Sequence, residues 1–186
     1  MNPFRRLASV ALARALPAAA LVAVAACGAP IEPSAPAISP GEWREFQGSW
    51  NAVGSRHAMA LGGERKAAIV ELRGTLLLAG PGRPGVGFRS DVIALSDSAT
   101  GLAGRSVWTD EHGDQVFSEL TGEGTAARNR ITGKIVGGTG RYAGATGDYE
   151  FAWEYVIEAD EGTIEGRAVG LKGRVRAGSA AGAASK

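Results

Sequence analysis

From Ser49 to Val175 the chain alternates apolar and polar residues in short runs, broken by clusters of Gly, Asp and Asn. The clearest run is Asp148-Tyr149-Glu150-Phe151-Ala152-Trp153-Glu154-Tyr155-Val156. Tyr149, Phe151, Trp153 and Tyr155 point one way, whereas Asp148, Glu150 and Glu154 point the other. A period of two this regular predicts a strand with one buried face. Eight such segments follow one another: Ser49–Met59, Ala67–Leu78, Gly87–Leu95, Gly104–Thr109, Gln115–Thr121, Arg130–Val136, Asp148–Glu158 and Thr163–Val175. Turn-forming connections such as Leu61-Gly62-Gly63-Glu64 and Asp110–Asp114 are short enough to force antiparallel neighbours. No segment sustains a helical period, and Glu42–Gln47 has room for one turn at most.

Eight hairpin-linked strands must stack as a sandwich or close as a barrel, because a long open sheet exposes its edges. Glycines inside the strands (Gly54, Gly74, Gly133, Gly166, Gly170 and Gly173) favour closure, which needs bends and close approach. The expected fold is all-β, a single antiparallel eight-stranded β-barrel over residues 48–176. A membrane-spanning barrel shares the alternation, but here the polar face of the strands carries charges.

The N-terminal segment follows another pattern. Arg5, Arg6 and Arg14 precede a stretch from Leu16 to Ala26 built almost wholly of Ala, Leu and Val, and the chain's single cysteine, Cys27, follows at once. This resembles a bacterial lipoprotein signal peptide with its lipobox. The resemblance implies removal of residues 1–26, acylation of Cys27 with palmitate-type chains, and attachment to a membrane. Each buried methylene contributes about 0.8 kcal/mol, so two or three chains anchor firmly. The apolar run is short for a span of about 20 residues. An ordinary secretory signal with an incidental cysteine is the simpler alternative. Gly28 stands where inner-membrane lipoproteins commonly carry Asp, so the resemblance points to the cell envelope, on the periplasmic side of an outer membrane.

Lipidation changes the rest of the inventory. Residues 27–47 become a linker, with four of the eight prolines between Gly28 and Pro40, and residues 177–186 read as a disordered Ala/Gly/Ser tail. Loss of residues 1–26 removes three of 20 Lys and Arg and none of 19 Asp and Glu, so the formal charge moves from +1 to −2. A mildly acidic domain gives no electrostatic case for nucleic acid. With Cys27 acylated, no thiol remains for a disulfide or a metal.

The segment Ile135-Val136-Gly137-Gly138-Thr139-Gly140-Arg141-Tyr142-Ala143-Gly144-Ala145-Thr146-Gly147 resembles the signature that joins two strands in the allene oxide cyclase and dirigent barrels. Gly137, Gly138, Gly140, Tyr142 and Gly147 carry the likeness, with Tyr142 placed to plug a barrel end. The resemblance implies the barrel fold, a homo-oligomer and a lined cavity; it transfers no catalytic set. Gly138-x-Gly140-x-x-Ala143 also fits a dinucleotide fingerprint, but that fingerprint requires a helix to begin there. A glycine pair and the aromatic strand follow instead, so no nucleotide cofactor is expected.

Little else suggests catalysis. Asp110-Glu111-His112-Gly113-Asp114 gathers three carboxylates that could hold a hard cation, yet it lacks calcium-loop spacing and reads as a solvated turn. Two histidines and no free thiol make zinc a poor fit, and no metal is expected. Arg56 and His57 are neighbours in a strand, so one of them faces inward. No Gly-x-Ser-x-Gly elbow is present. The residues expected to line a cavity are Trp50, His57, Trp108, Phe151, Trp153 and Tyr155, with core filling as the simpler reading. These features suggest a lipid-anchored module that binds a small apolar ligand or an envelope partner. The alternative is a cyclase- or dirigent-like enzyme whose cavity steers a reactive small molecule. A cavity with convergent His57 or Arg residues would favour the enzyme; a filled interior with an exposed apolar patch would favour partner binding.

Overall fold

A computed structural model of the chain describes residues 41–81, 85–123, 129–159 and 161–178. Cys27, the signal segment, the proline-rich stretch to Pro40 and the tail from residue 179 lie outside the described residues. Eight strands follow in order: β1 (Trp43–Ala60), β2 (Lys66–Ala79), β3 (Val86–Asp97), β4 (Gly101–Thr109), β5 (Gln115–Gly122), β6 (Asn129–Gly138), β7 (Thr146–Ile157) and β8 (Glu161–Arg176). Each pairs antiparallel with the next, and β8 pairs with β1 to close the barrel. No sheet edge is left open, as closure requires.

β1 starts at Trp43, well ahead of the expected Ser49, and residues 43–47 form neither a helical turn nor part of a linker. The cause is Phe46. It lies opposite Gly173 of β8 and packs its ring at 6.4 Å from Trp108, edge to face, which binds this stretch to the barrel wall.

Alternation sorts the faces. On β1 the even residues Trp50, Ala52 and Arg56 are buried, while their odd neighbours are exposed. On β8 the parity changes: Ile164 and Ala168 are buried before the change and Leu171 after it. Between them Gly170 takes φ +67 and the register slips by one residue against both neighbours. This is a β-bulge, and glycine is the residue that adopts its left-handed backbone at little cost. Elsewhere glycine supplies space. A Cβ on Gly133 would lie 2.0 Å from the Tyr149 ring, so the aromatic ring occupies the volume that a side chain there would need.

The interior is apolar and aromatic, with Leu76, Ile135 and Ile164 almost completely excluded from solvent. The outer face carries cross-strand ion pairs: Arg73 with Asp91, Arg130 with Glu150, Arg167 with Glu154 and Arg174 with Asp148. An apolar inside and a charged outside reverse the arrangement of a membrane-spanning barrel. The meander gives the barrel two distinct ends. One receives the start of β1, the end of β8 and the connections after β2, β4 and β6. The other receives the connections after β1, β3, β5 and β7.

Candidate functional site

The β6–β7 connection covers the first of these ends. Gly137 lies at a register slip between β5 and β6, Gly138 ends β6, and Gly147 falls in the first turn of pairing between β6 and β7. Between them a single 3-10 turn, Gly140–Tyr142, places Tyr142 half-buried over the core, 5.8 Å from the Phe88 ring. Burial pushes the Tyr142 hydroxyl up to about 12, against the opposing effect of Arg141. Because only this short turn follows Gly138 and β7 begins at Thr146, no helix N-terminus is present for a pyrophosphate.

The turn is fastened from below by Asp110. Its side chain is fully buried and accepts hydrogen bonds from the backbone N–H of His112 at 2.8 Å and of Asp114 at 3.0 Å, and from Arg141 Nε at 2.7 Å. Burial pushes this carboxyl up, but those donors outweigh it and hold it below the ordinary carboxylate range. Asp114 in turn accepts from the backbone N–H of Arg141 at 3.2 Å. Gly140, at φ +50, sits against that carboxylate, where a Cβ would lie 1.8 Å from Oδ1. The 110–114 turn is solvated at Glu111, His112 and Gly113 as its composition suggests, but Asp110 is an internal fastener whose lone pairs meet N–H groups. Among the described residues no group of three or more His, Cys, Asp or Glu is placed to hold a metal ion.

The opposite end is different. A cavity of about 60 Å³ lies inside the barrel and opens beside Glu158. Trp50, Phe151 and Trp153 form one wall, with Trp50 and Trp153 5.0 Å apart between ring centroids. Val70, Leu72, Val92, Leu102, Leu120 and Ile131 complete an apolar lining, and Tyr155 stands at its rim. The polar exceptions are Arg56, Ser96, Asn129 and Glu158. Arg56 is about nine-tenths buried, and its nearest acid, the exposed Glu158, approaches only to 3.6 Å. The Arg56 Nε and the Trp50 indole N–H are buried without a hydrogen-bond acceptor, and the Trp153 indole N–H has only the Tyr155 hydroxyl near it, short of good hydrogen-bond geometry.

Four of the six residues expected around a cavity thus meet there: Trp50, Phe151, Trp153 and Tyr155. Two do not. His57 is on the outer face, its side chain 73 % exposed, with Nδ1 2.9 Å from Glu161 Oε2. The even-in parity of β1 decides between the neighbours, and Arg56 takes the inward place. Trp108 is buried but belongs to the closed half, 4.9 Å from Tyr149 and 6.1 Å from Phe88, because β4 runs toward that end. Sequence reasoning recognised that one of Arg56 and His57 faces inward but named His57 for the cavity, and the structure puts Arg56 there instead. Counting in twos from Trp50 would have settled it, since Arg56 shares Trp50's face.

Two other surface features compete for attention. An open groove of about 540 Å³ crosses the outer wall where β1, β7 and β8 approach the closed end. It is larger than the cavity but wide to solvent, and of its acids Glu45, Asp148 and Glu150 the last two are already paired with Arg174 and with Lys172 and Arg130. On the outside of the open end Ile69 stands opposite Leu95, with Met59 and Ile93 diagonal to them, all more than half exposed. No family model, curated protein or solved structure matches the chain.

Proposed function

We propose that this protein is a lipid-anchored binding module of the cell envelope whose barrel takes a small apolar ligand into the cavity at its open end. The observation that carries this reading is the asymmetry of the interior. One end is sealed by Tyr142 and the Asp110 fastener, while the other presents Trp50, Phe151 and Trp153 around a reachable space. Like a small-molecule site this space is concave, mostly apolar and marked by few polar groups, and its volume of about 60 Å³ restricts it to a very small ligand or to one end of a larger one. The anchor rests on the Val24-Ala25-Ala26-Cys27 segment, and the likeness of the Ile135–Gly147 segment to the allene oxide cyclase and dirigent signature fits the same picture. The exposed Ile69, Leu95, Ile93 and Met59 patch supports contact with an envelope partner as well. A cyclase- or dirigent-like activity is the second reading, and the buried Arg56 in the cavity wall is the observation that favours it.

Mass spectrometry of small molecules that copurify with the detergent-extracted full-length protein tests the ligand. An apolar compound released on unfolding is the expected result. If nothing copurifies and no apolar dye perturbs tryptophan fluorescence, the binding reading fails. Cys27→Ser should abolish acyl labelling; continued labelling of that variant would remove the anchor from the proposal.

A further inference from the structure

From the unsatisfied donors of the cavity wall we infer that the ligand is a small carboxylic acid, bound as its anion with a short apolar body. This rests on the ligand-binding reading above and specifies the chemistry of that same site. Every polar hydrogen in a protein interior that lacks an acceptor costs free energy, so such groups are rare unless something fills the gap. Three occur around this one cavity: Arg56 Nε, Trp50 Nε1 and Trp153 Nε1. All three side chains are at least nine-tenths buried.

The three have a common sign. Each is a donor with no accepting capacity, and one belongs to a permanent cation. A bound group that satisfies them must therefore offer acceptors, and beside a buried guanidinium an anionic acceptor is favoured over a neutral one. Glu158 makes an ion pair with Arg56 Nη1 but leaves the Nε donor unmet. It is about half exposed, and at 3.6 Å it lies beyond ordinary hydrogen-bond distance from Arg56. Ser96 and Asn129 add polarity at the same wall, whereas the remaining lining is aliphatic or aromatic and suits a hydrocarbon body. The volume limits that body. About 60 Å³ holds a short chain or part of a ring, with anything longer leaving past Tyr155 and Glu158.

The test compares shape-matched probes on the full-length protein: acetate against acetamide, butanoate against butanamide, and xenon as an apolar probe without a head group that fits the volume. Titration is followed by tryptophan fluorescence and by the indole N–H resonances. The acids should bind about ten-fold or more tightly than their amides. Their binding should move two indole signals, those of Trp50 and Trp153, while Trp108 and Trp43 stay in place. Arg56→Met should remove the preference for acid over amide and keep xenon binding, which also reports that the variant is folded. Should that variant fail to fold, the unmodified protein still decides, because acid binding must fall as pH drops through the ligand's own pKa while xenon binding does not. Equal affinity for acid and amide, or an acid preference that survives Arg56→Met, overturns the carboxylate inference and leaves the apolar-ligand reading standing. Failure of every probe, xenon included, removes both.

Discussion

The two ends of this barrel are built from the same kinds of residues and come out opposite. At the closed end, aromatic side chains interlock: Trp108 contacts Phe46, Phe88 and Tyr149, and Tyr142 lies across Phe88. At the open end, Trp50, Phe151, Trp153 and Tyr155 also pack on one another, yet they leave a cavity and a buried arginine between them. Among the described residues, one difference lies in two of the connections. A thirteen-residue stretch from Ile135 to Gly147 includes a turn that folds back over the core, whereas β1 and β2 at the other end are joined by a short, exposed Leu61–Arg65 turn. A barrel of eight strands has just enough interior for side chains, so a turn laid across one end leaves little space beneath it.

Truncation at the two ends should therefore have unequal costs. Trp108→Ala removes a fully packed ring from the closed half and should destabilise by about 3–5 kcal/mol. Tyr155→Ala acts on a side chain that already borders open space, and about 1–2 kcal/mol is expected. Urea unfolding monitored by far-UV circular dichroism measures both. Equal losses would mean that the open end is as tightly packed as the closed one, contrary to the cavity between its walls.

The second comparison concerns the acids that fasten each end. Asp110 holds the closed end through two backbone N–H groups and Arg141, and Asp110→Ala should cost about 1–3 kcal/mol by stranding those donors. At the open end Asp97 accepts from Arg65 at 2.7 Å and from the Ala99 N–H at 2.8 Å. The Arg65 hydrogen bond, with the Ala99 N–H behind it, brings the Asp97 carboxyl down to about 2 from 3.8. Both carboxyls are lowered on folding, so each stabilises above its unfolded-state value and loses that contribution as pH falls. For Asp97 the loss should run from about pH 4 to about pH 2. Arg65→Met should flatten this part of a stability-against-pH curve; an unchanged acid limb would show that Asp97 does not contribute to it.

Most of the barrel is legible in the chain because strand parity is a local property. The Asp148–Val156 run states its faces outright, and Gly54, Gly74 and Gly133 mark places where walls meet closely. The site was harder to see. The Gly170 bulge reverses the parity of β8 midway, and periodicity alone carries no sign of it. Phe46 belongs to the barrel because it contacts Trp108 and Tyr149, residues far along the chain, so residues 43–47 resembled a linker. Which tryptophans share a cavity depends on the direction and stagger of the strands that bear them. Trp108 and Trp153 both sit inside, at opposite ends, for that reason.

The smallest effect belongs to His57, and it is the sharpest check on which face the site occupies. His57 and Arg56 are adjacent in sequence, yet one lies on the outer wall and the other in the cavity wall. The contact of His57 with Glu161 joins two exposed side chains, and exposed pairs of this kind contribute little. Glu161 also accepts from the backbone N–H of Ala58 at 3.0 Å, so it keeps a partner when the imidazole is removed. His57→Ala should thus leave the thermal midpoint within about 1 °C of the parent and ligand affinity unchanged. Arg56→Ala, one residue away, should alter binding. If His57→Ala weakens binding and Arg56→Ala does not, the parity of β1 is the reverse of that described, and the functional surface lies on the outer wall of the barrel.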